Sequence, residues 1–178
     1  AQLLAEVGFS QQAARWWNHS TELAATTNNK RTQNRVLMLA AQFFAGADVP
    51  RAIDLARQAF ALNLDDTASL RLLTALLSDT NTEASLKEAS SLLDAIQKAS
   101  EKSGNGQAID ADKRVMASVL YRRAVLTPTE HNAADDLQRA AVLLNSLKSS
   151  TEADAVQLAR IVSAQGDKQA ALLALAEQ

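Results

Sequence analysis

An all-α fold, a solenoid of antiparallel helix pairs with about ten helices, is what this sequence predicts, and three observations carry the prediction. Apolar residues recur at spacings of three and four almost everywhere: Leu86, Ala89, Leu93 and Ile96 form one stripe, and Leu137, Ala140, Ala141 and Leu144 form another. That is the period of one helical face. No stretch keeps an alternating pattern for long, so no strand is predicted. Five Gly and two Pro are too few for the many turns of an all-β chain.

The elements follow in order. Residues 1–7 open in an apolar helical pattern (Leu3, Leu4, Val7), and Gly8 marks its end. A second helix, 10–26, carries Ala13, Trp17 and Ser20 on one face. A third, 31–46, carries Val36, Leu39, Ala40 and Phe43 and stops at Gly46. The helix 49–62 has Pro50 in its first turn, where no helical amide is lost, and sets Ala52, Ala56 and Ala59 inward. Residues 66–79 carry Leu70, Leu73, Thr74 and Leu77. Thr80-Asn-Thr-Glu83 has capping-box spacing, in which a hydroxyl takes an orphan amide and a carboxylate reaches back, and it starts 82–102. The polar break Ser103-Gly-Asn-Gly106 is read as a flexible loop. Residues 107–126 follow, with Lys113, Met116, Ala117 and Leu120 in register. Thr127-Pro-Thr-Glu130 and Ser149-Ser-Thr-Glu152 repeat the box and start 129–148 and 151–165; 167–178 is the last helix. Gly8, Gly46, Gly104, Gly106 and Gly166 lie near helix ends, where glycine tolerates a left-handed residue. Most connections are short, which makes consecutive helices antiparallel neighbours. No Met opens the chain, and both ends fall within helical patterns. The expectation is a fragment of a longer protein: 1–178 as a single array of about five helix pairs, the first and last incomplete.

The pairs repeat. The second helix of each pair carries a small residue, then positions four and seven further on: Ala13/Trp17/Ser20, Ala52/Ala56/Ala59, Ala89/Leu93/Ile96, Ala133/Leu137/Ala140 and Ala171/Leu175/Gln178. The first helix carries Val36-x2-Leu39-Ala40-x2-Phe43, Leu70-x2-Leu73-Thr74-x2-Leu77 and Ala155-x2-Leu158-Ala159-x2-Val162, with a weaker copy from Lys113 to Leu120. This pattern resembles the tetratricopeptide repeat over nearly the whole chain, most closely at 33–66. Leu64 stands where that family has Pro, and the anchors from Ala13 to Ala171 are 39, 37, 44 and 38 residues apart, against about 34 in the family. HEAT-like and other helical-pair arrays are the alternatives. The resemblance implies a right-handed α-α superhelix. The physical sense is that small residues let paired backbones approach, and that one pair alone cannot cover its apolar stripe.

Composition excludes several function classes. Net charge is −2 with both signs interspersed, so nucleic acid is not expected as the primary ligand. The absence of Cys removes disulfides and thiolate metal sites. No 18-residue apolar run is present, so no membrane span is expected. His19 and His131 lack partners at i+4, and no Walker, GxGxxG, HExxH or GxSxG motif occurs. Asp65-Asp66 and Asp135-Asp136 read as capping and solubility residues. Glu6, Glu22, Glu83 and Glu88 sit in no catalytic constellation. No cofactor and no catalytic activity are expected. Trp17 fills the large slot after Ala13; Trp16 beside it either packs on a preceding repeat or anchors a partner.

In the tetratricopeptide family ligands lie in the groove lined by first helices. The same register here proposes Leu37, Phe44, Arg71, Arg114, Tyr121 and Arg160 as groove residues. The arginines suit carboxylate-like groups, hence an acidic or extended partner segment; ordinary solvated positions are the alternative. Leu37 and Ala41 occupy the slots of the family's chaperone-tail clamp, which argues against that adaptor role. The functional expectation is a protein-interaction scaffold. Residues 3–17, LLAEVGFSQQAARWW, resemble the periplasmic repeats of bacterial exopolysaccharide export proteins of the Pel and cellulose type. That likeness implies a periplasmic setting, with envelope enzymes, sister subunits or the polymer as partners. A cytoplasmic repeat regulator or co-chaperone, and a helical-repeat enzyme such as a lytic transglycosylase, are the other readings.

Overall fold

The computed structural model describes residues 10–63, 66–80, 82–103, 106–128 and 132–167. All of its regular structure is α-helical: α1 (Ser10–Thr26), α2 (Lys30–Phe44), α3 (Val49–Leu62), α4 (Thr67–Asp79), α5 (Glu83–Ser91), α6 (Leu93–Ser103), α7 (Gly106–Leu126), α8 (Ala133–Asn145) and α9 (Glu152–Ala164). The expected helix 82–102 is broken at Leu92 into α5 and α6. With those two counted as one run, eight helical segments stand among the described residues, not ten. The expected helices 1–7 and 167–178 lie outside them. The break has a local cause. Ser91 Oγ donates to the Glu88 carbonyl at 2.7 Å, and the Leu92 amide turns back to Ala89 at 3.1 Å. A serine that competes for the helix's own carbonyls, as Ser91 does here, bends it.

The helix starts are capped, but later than the sequence suggests. Thr82, not Thr80, accepts from the Ser85 amide, and Asn132, not Thr127, accepts from that of Asp135. Thr151 forms a full box with Asp154 in the place expected for Ser149 and Glu152. Asp is as good a box partner there because its carboxylate already reaches the Thr151 amide at 2.8 Å. Among the described glycines, only Gly166 has a positive φ, +96°. It ends α9 with the Gly166 amide on Ser163 and the Asp167 amide on Val162, a Schellman closure. Gly46 turns the chain without a left-handed residue, Gly106 begins α7 rather than ending a helix, and Gly8 and Gly104 are outside the described residues.

The chain divides into two compact units, residues 1–76 and 77–178. In the first, α2 packs along α3, and α1 packs on α2. Ala40 and Ala41 of α2 and Ala52, Ala56 and Ala59 of α3 are buried without remaining exposure, or nearly so. The alanines thus sit where two backbones come close, and a larger side chain at any of them would push the helices apart. Asn34 of α2 fastens the far end, donating to the Ala59 carbonyl at 2.9 Å and to the Asp66 carboxylate at 3.1 Å. Asp66 in turn caps α4 through the Ser69 amide at 3.1 Å. Aromatic contacts run from Trp17 through Phe43 to Phe44, with centroids 6.3 and 5.0 Å apart. The Arg51 guanidinium lies 4.4 Å above the Phe44 ring and donates to Asn18. Trp16 is 57% exposed, edge-on to His19.

In the second unit the core gathers Ala117, Leu120 and Ala124 of α7, Leu137, Ala140, Ala141 and Leu144 of α8, and Ile161 of α9. The small residues of the first-helix pattern, Ala40, Thr74, Ala117 and Ala159, are all buried, as are Ala13, Ala52 and Ala89 of the second-helix pattern. Ala133 is half-buried against the α7–α8 core, and Ala171 lies outside the described residues.

Candidate functional site

Helix α7 carries more than its apolar stripe, because several of its charged side chains are spent on holding neighbours. Asp110 is 2% exposed. It accepts from the Lys148 amide at 3.2 and 3.1 Å and the Ser149 amide at 3.1 Å. Burial pushes its carboxyl up, but the Lys148 and Ser149 amides, the Ser149 hydroxyl and the Lys113 charge outweigh it and hold the group below the usual aspartate range. Lys113 donates to the Ser146 carbonyl at 2.6 Å. One turn of α7 therefore pins the whole α8–α9 connection.

Two bidentate ion pairs extend the same logic. Arg114 meets Asp154 of α9 at 2.8 and 2.9 Å and also donates to the Ser149 carbonyl at 2.6 Å. Burial raises the Asp154 carboxyl, but Arg114 and Thr151 together bring it below its ordinary value. The Asp154 bond holds the guanidinium more firmly protonated. Arg123 meets Asp136 of α8 at 2.6 and 2.5 Å. Both aspartates are buried. Asp136 is thus no solubility residue: it is a bridge between α7 and α8, a role that adjacency to Asp135 in the sequence conceals.

Beside these locked charges, α7 and α9 leave an open cleft of about 830 Å³. Tyr121, Val125 and Leu126 form an apolar strip along α7, with Arg122 on its edge; Val156 and Arg160 face them from α9. Val125 and Leu126 are about half exposed, at 49% and 45%. Arg122 reaches Asp79 at 2.8 Å. Arg160 is exposed.

The six groove candidates separate. Tyr121 and Arg160 line this cleft together. Arg114 is in the same unit, but its guanidinium is committed to Asp154 and Ser149. Leu37 and Phe44 belong to the first unit and are core residues, Phe44 under Arg51. Arg71 is half-buried in that unit. The sequence register is off on α2 because Leu37, Ala40, Ala41 and Phe44 share its buried sector, which leaves Arg31, Arg35, Leu39 and Gln42 as its exposed one. On α7, Ser118, Arg122 and Val125 were missed, although steps of three and four from Tyr121 reach Ser118 and Val125, and Arg122 lies four residues beyond Ser118. His131 lies outside the described residues. Among the described residues no group of His, Asp and Glu is arranged to hold a metal ion, and no helix is long and apolar enough to cross a membrane. No family model, no curated protein and no solved structure matches this chain.

Proposed function

We propose that the chain is a non-catalytic protein-interaction scaffold of stacked helix pairs, and that the α7/α9 cleft seats an extended segment of a partner protein. One contrast supports this reading. Most of the buried charge around the cleft is used internally, whereas Val125 and Leu126 stay about half exposed along it beside the partly buried Tyr121, with Arg160 at its rim. An aromatic and an Arg beside half-exposed aliphatic groups is the chemistry of a partner anchor. The envelope setting implied by residues 3–17 would make the partner an enzyme or sister subunit of a polymer-export machine.

The test is selection of random peptides on the 178-residue chain, followed by affinity measurement on Tyr121→Ala and Arg160→Glu. Selected peptides should lose about tenfold or more on Tyr121→Ala, the scale of an aromatic anchor. Peptides that bind both variants as tightly as the parent would remove the cleft from the reading.

A further inference from the structure

The exposed sector of α2 raises a separate question, one of charge. Lys30 and Arg31 occupy the first turn and Arg35 the next, with no acid in that first turn. All three are exposed, and no carboxylate among the described residues pairs with them. This placement is locally unfavourable. Cations at a helix N-terminus oppose the macrodipole, and Arg31 and Arg35 repel each other at i,i+4. Further along the same sector the chemistry changes. Met38 is half-buried, and Leu39 keeps 39% of its surface exposed. These residues line one cleft of about 670 Å³ in the first unit. The acid that borders it, Asp66, already accepts from Asn34 and from the Ser69 amide.

We propose that this face of α2 docks an extended acidic segment of a partner protein, two carboxylates meeting Arg31 and Arg35 and an apolar side chain following onto Met38 and Leu39. The spacing fits. Four residues of helix advance about 6 Å, and two residues of extended chain advance about 6.7 Å. An acid-x-acid-x-apolar segment therefore matches Arg31, Arg35 and Leu39 in turn, each guanidinium free to bond a carboxylate bidentately. The apolar end selects a peptide over a carboxylated polysaccharide, which would leave Met38 and Leu39 uncovered. Three cations in a chain of net charge −2 are too few for nucleic acid. This surface is distinct from the α7/α9 cleft, and either can fail alone.

The experiment is a titration of the isotope-labelled 178-residue chain by NMR with a capped synthetic peptide, Gly-Glu-Ser-Glu-Ser-Leu-Gly. Amide shifts should concentrate in residues 30–42, with affinity falling as salt rises. The double variant Arg31→Glu/Arg35→Glu should weaken binding about tenfold or more, and Leu39→Ser about threefold. An acid at position 31 suits the N-terminus of the helix, and far-UV circular dichroism of the double variant separates loss of binding from loss of α2. The isomer Gly-Glu-Glu-Ser-Ser-Leu-Gly should bind several-fold more weakly. Equal binding of the two peptides, shifts elsewhere, no shifts at millimolar peptide, or equal shifts with alginate at matched carboxylate concentration would each overturn the proposal.

Discussion

Removing Asp136 tests whether burial, rather than pairing as such, gives the Arg–Asp bridges their weight. The Asp136 side chain is 4% exposed and that of Arg123 16%, with both guanidinium–carboxylate bonds short. Asp136→Ala strands a largely desolvated guanidinium against α8. Such a stranded charge costs about 3–5 kcal/mol. Arg123 retains some access to water, which favours the lower half of that range. The variant also removes an acid from the first turn of α8, worth about 0.3–1 kcal/mol. The expected loss is therefore about 3–5 kcal/mol. The molecule holds its own control. Arg57 and Asp54 make a single-bonded Arg–Asp contact at 3.2 Å, i,i+3 on α3, with 46% and 68% exposure. Asp54→Ala should cost about 0.5 kcal/mol or less. A third variant, Arg123→Met/Asp136→Leu, should return to within about 1 kcal/mol of the parent, because an apolar pair of similar volume carries no desolvation penalty. Urea unfolding followed by far-UV circular dichroism measures all three. Equal losses for Asp136→Ala and Asp54→Ala would refute the burial argument.

Three further outcomes are expected. Asp110 and Asp154 are held below the ordinary value of 3.8, so each contributes stability that is complete above that value and is lost as pH falls through the depressed folded values. Urea midpoints should be level between about pH 7 and 5 and drop below about pH 4, with a shallower drop in Asp110→Asn; an identical acid slope in that variant would contradict the assignment. Gly166→Ala should cost about 1 kcal/mol or more from backbone strain alone, since φ is +96° and an added Cβ meets nothing within 4 Å. Gly46→Ala, equally open but without a positive φ, should be neutral or mildly stabilising, so matched thermal melts of the two separate conformation from contact. Ala52→Leu should cost about 1–3 kcal/mol, read by urea titration; a neutral result would mean that α2 and α3 do not meet at that alanine.

How much of this was legible beforehand differs from residue to residue. The three-and-four spacing and the sparse Gly and Pro carried the all-α reading. The alanines of α3 and the small residues Ala40, Thr74, Ala117 and Ala159 marked buried positions because only close backbones reward so small a side chain. Where the helices stop was less legible. Thr82 and Thr151 cap in place of neighbours that spell the same motif, since several hydroxyls near a boundary can serve and only the packed chain chooses. The break at Leu92 follows Ser91, a residue that can take a helix carbonyl, yet the spacing across it stays helical.

Pattern and local chemistry, being properties of neighbours along the chain, determined helix, hairpin and the alanine contacts. The fate of the charges was decided by tertiary structure alone. Arg114, Arg123, Arg160, Arg31 and Arg35 are alike in the sequence. Whether a guanidinium meets a buried carboxylate 40 residues away, as Arg114 does, or faces an open cleft depends on which helices pack together. For the same reason Tyr121 and Arg160 meet across one groove, while Leu37 and Phe44, chosen by the same register, turn into a core. A rotation of about 100° per residue is enough to carry a side chain from one surface to the other.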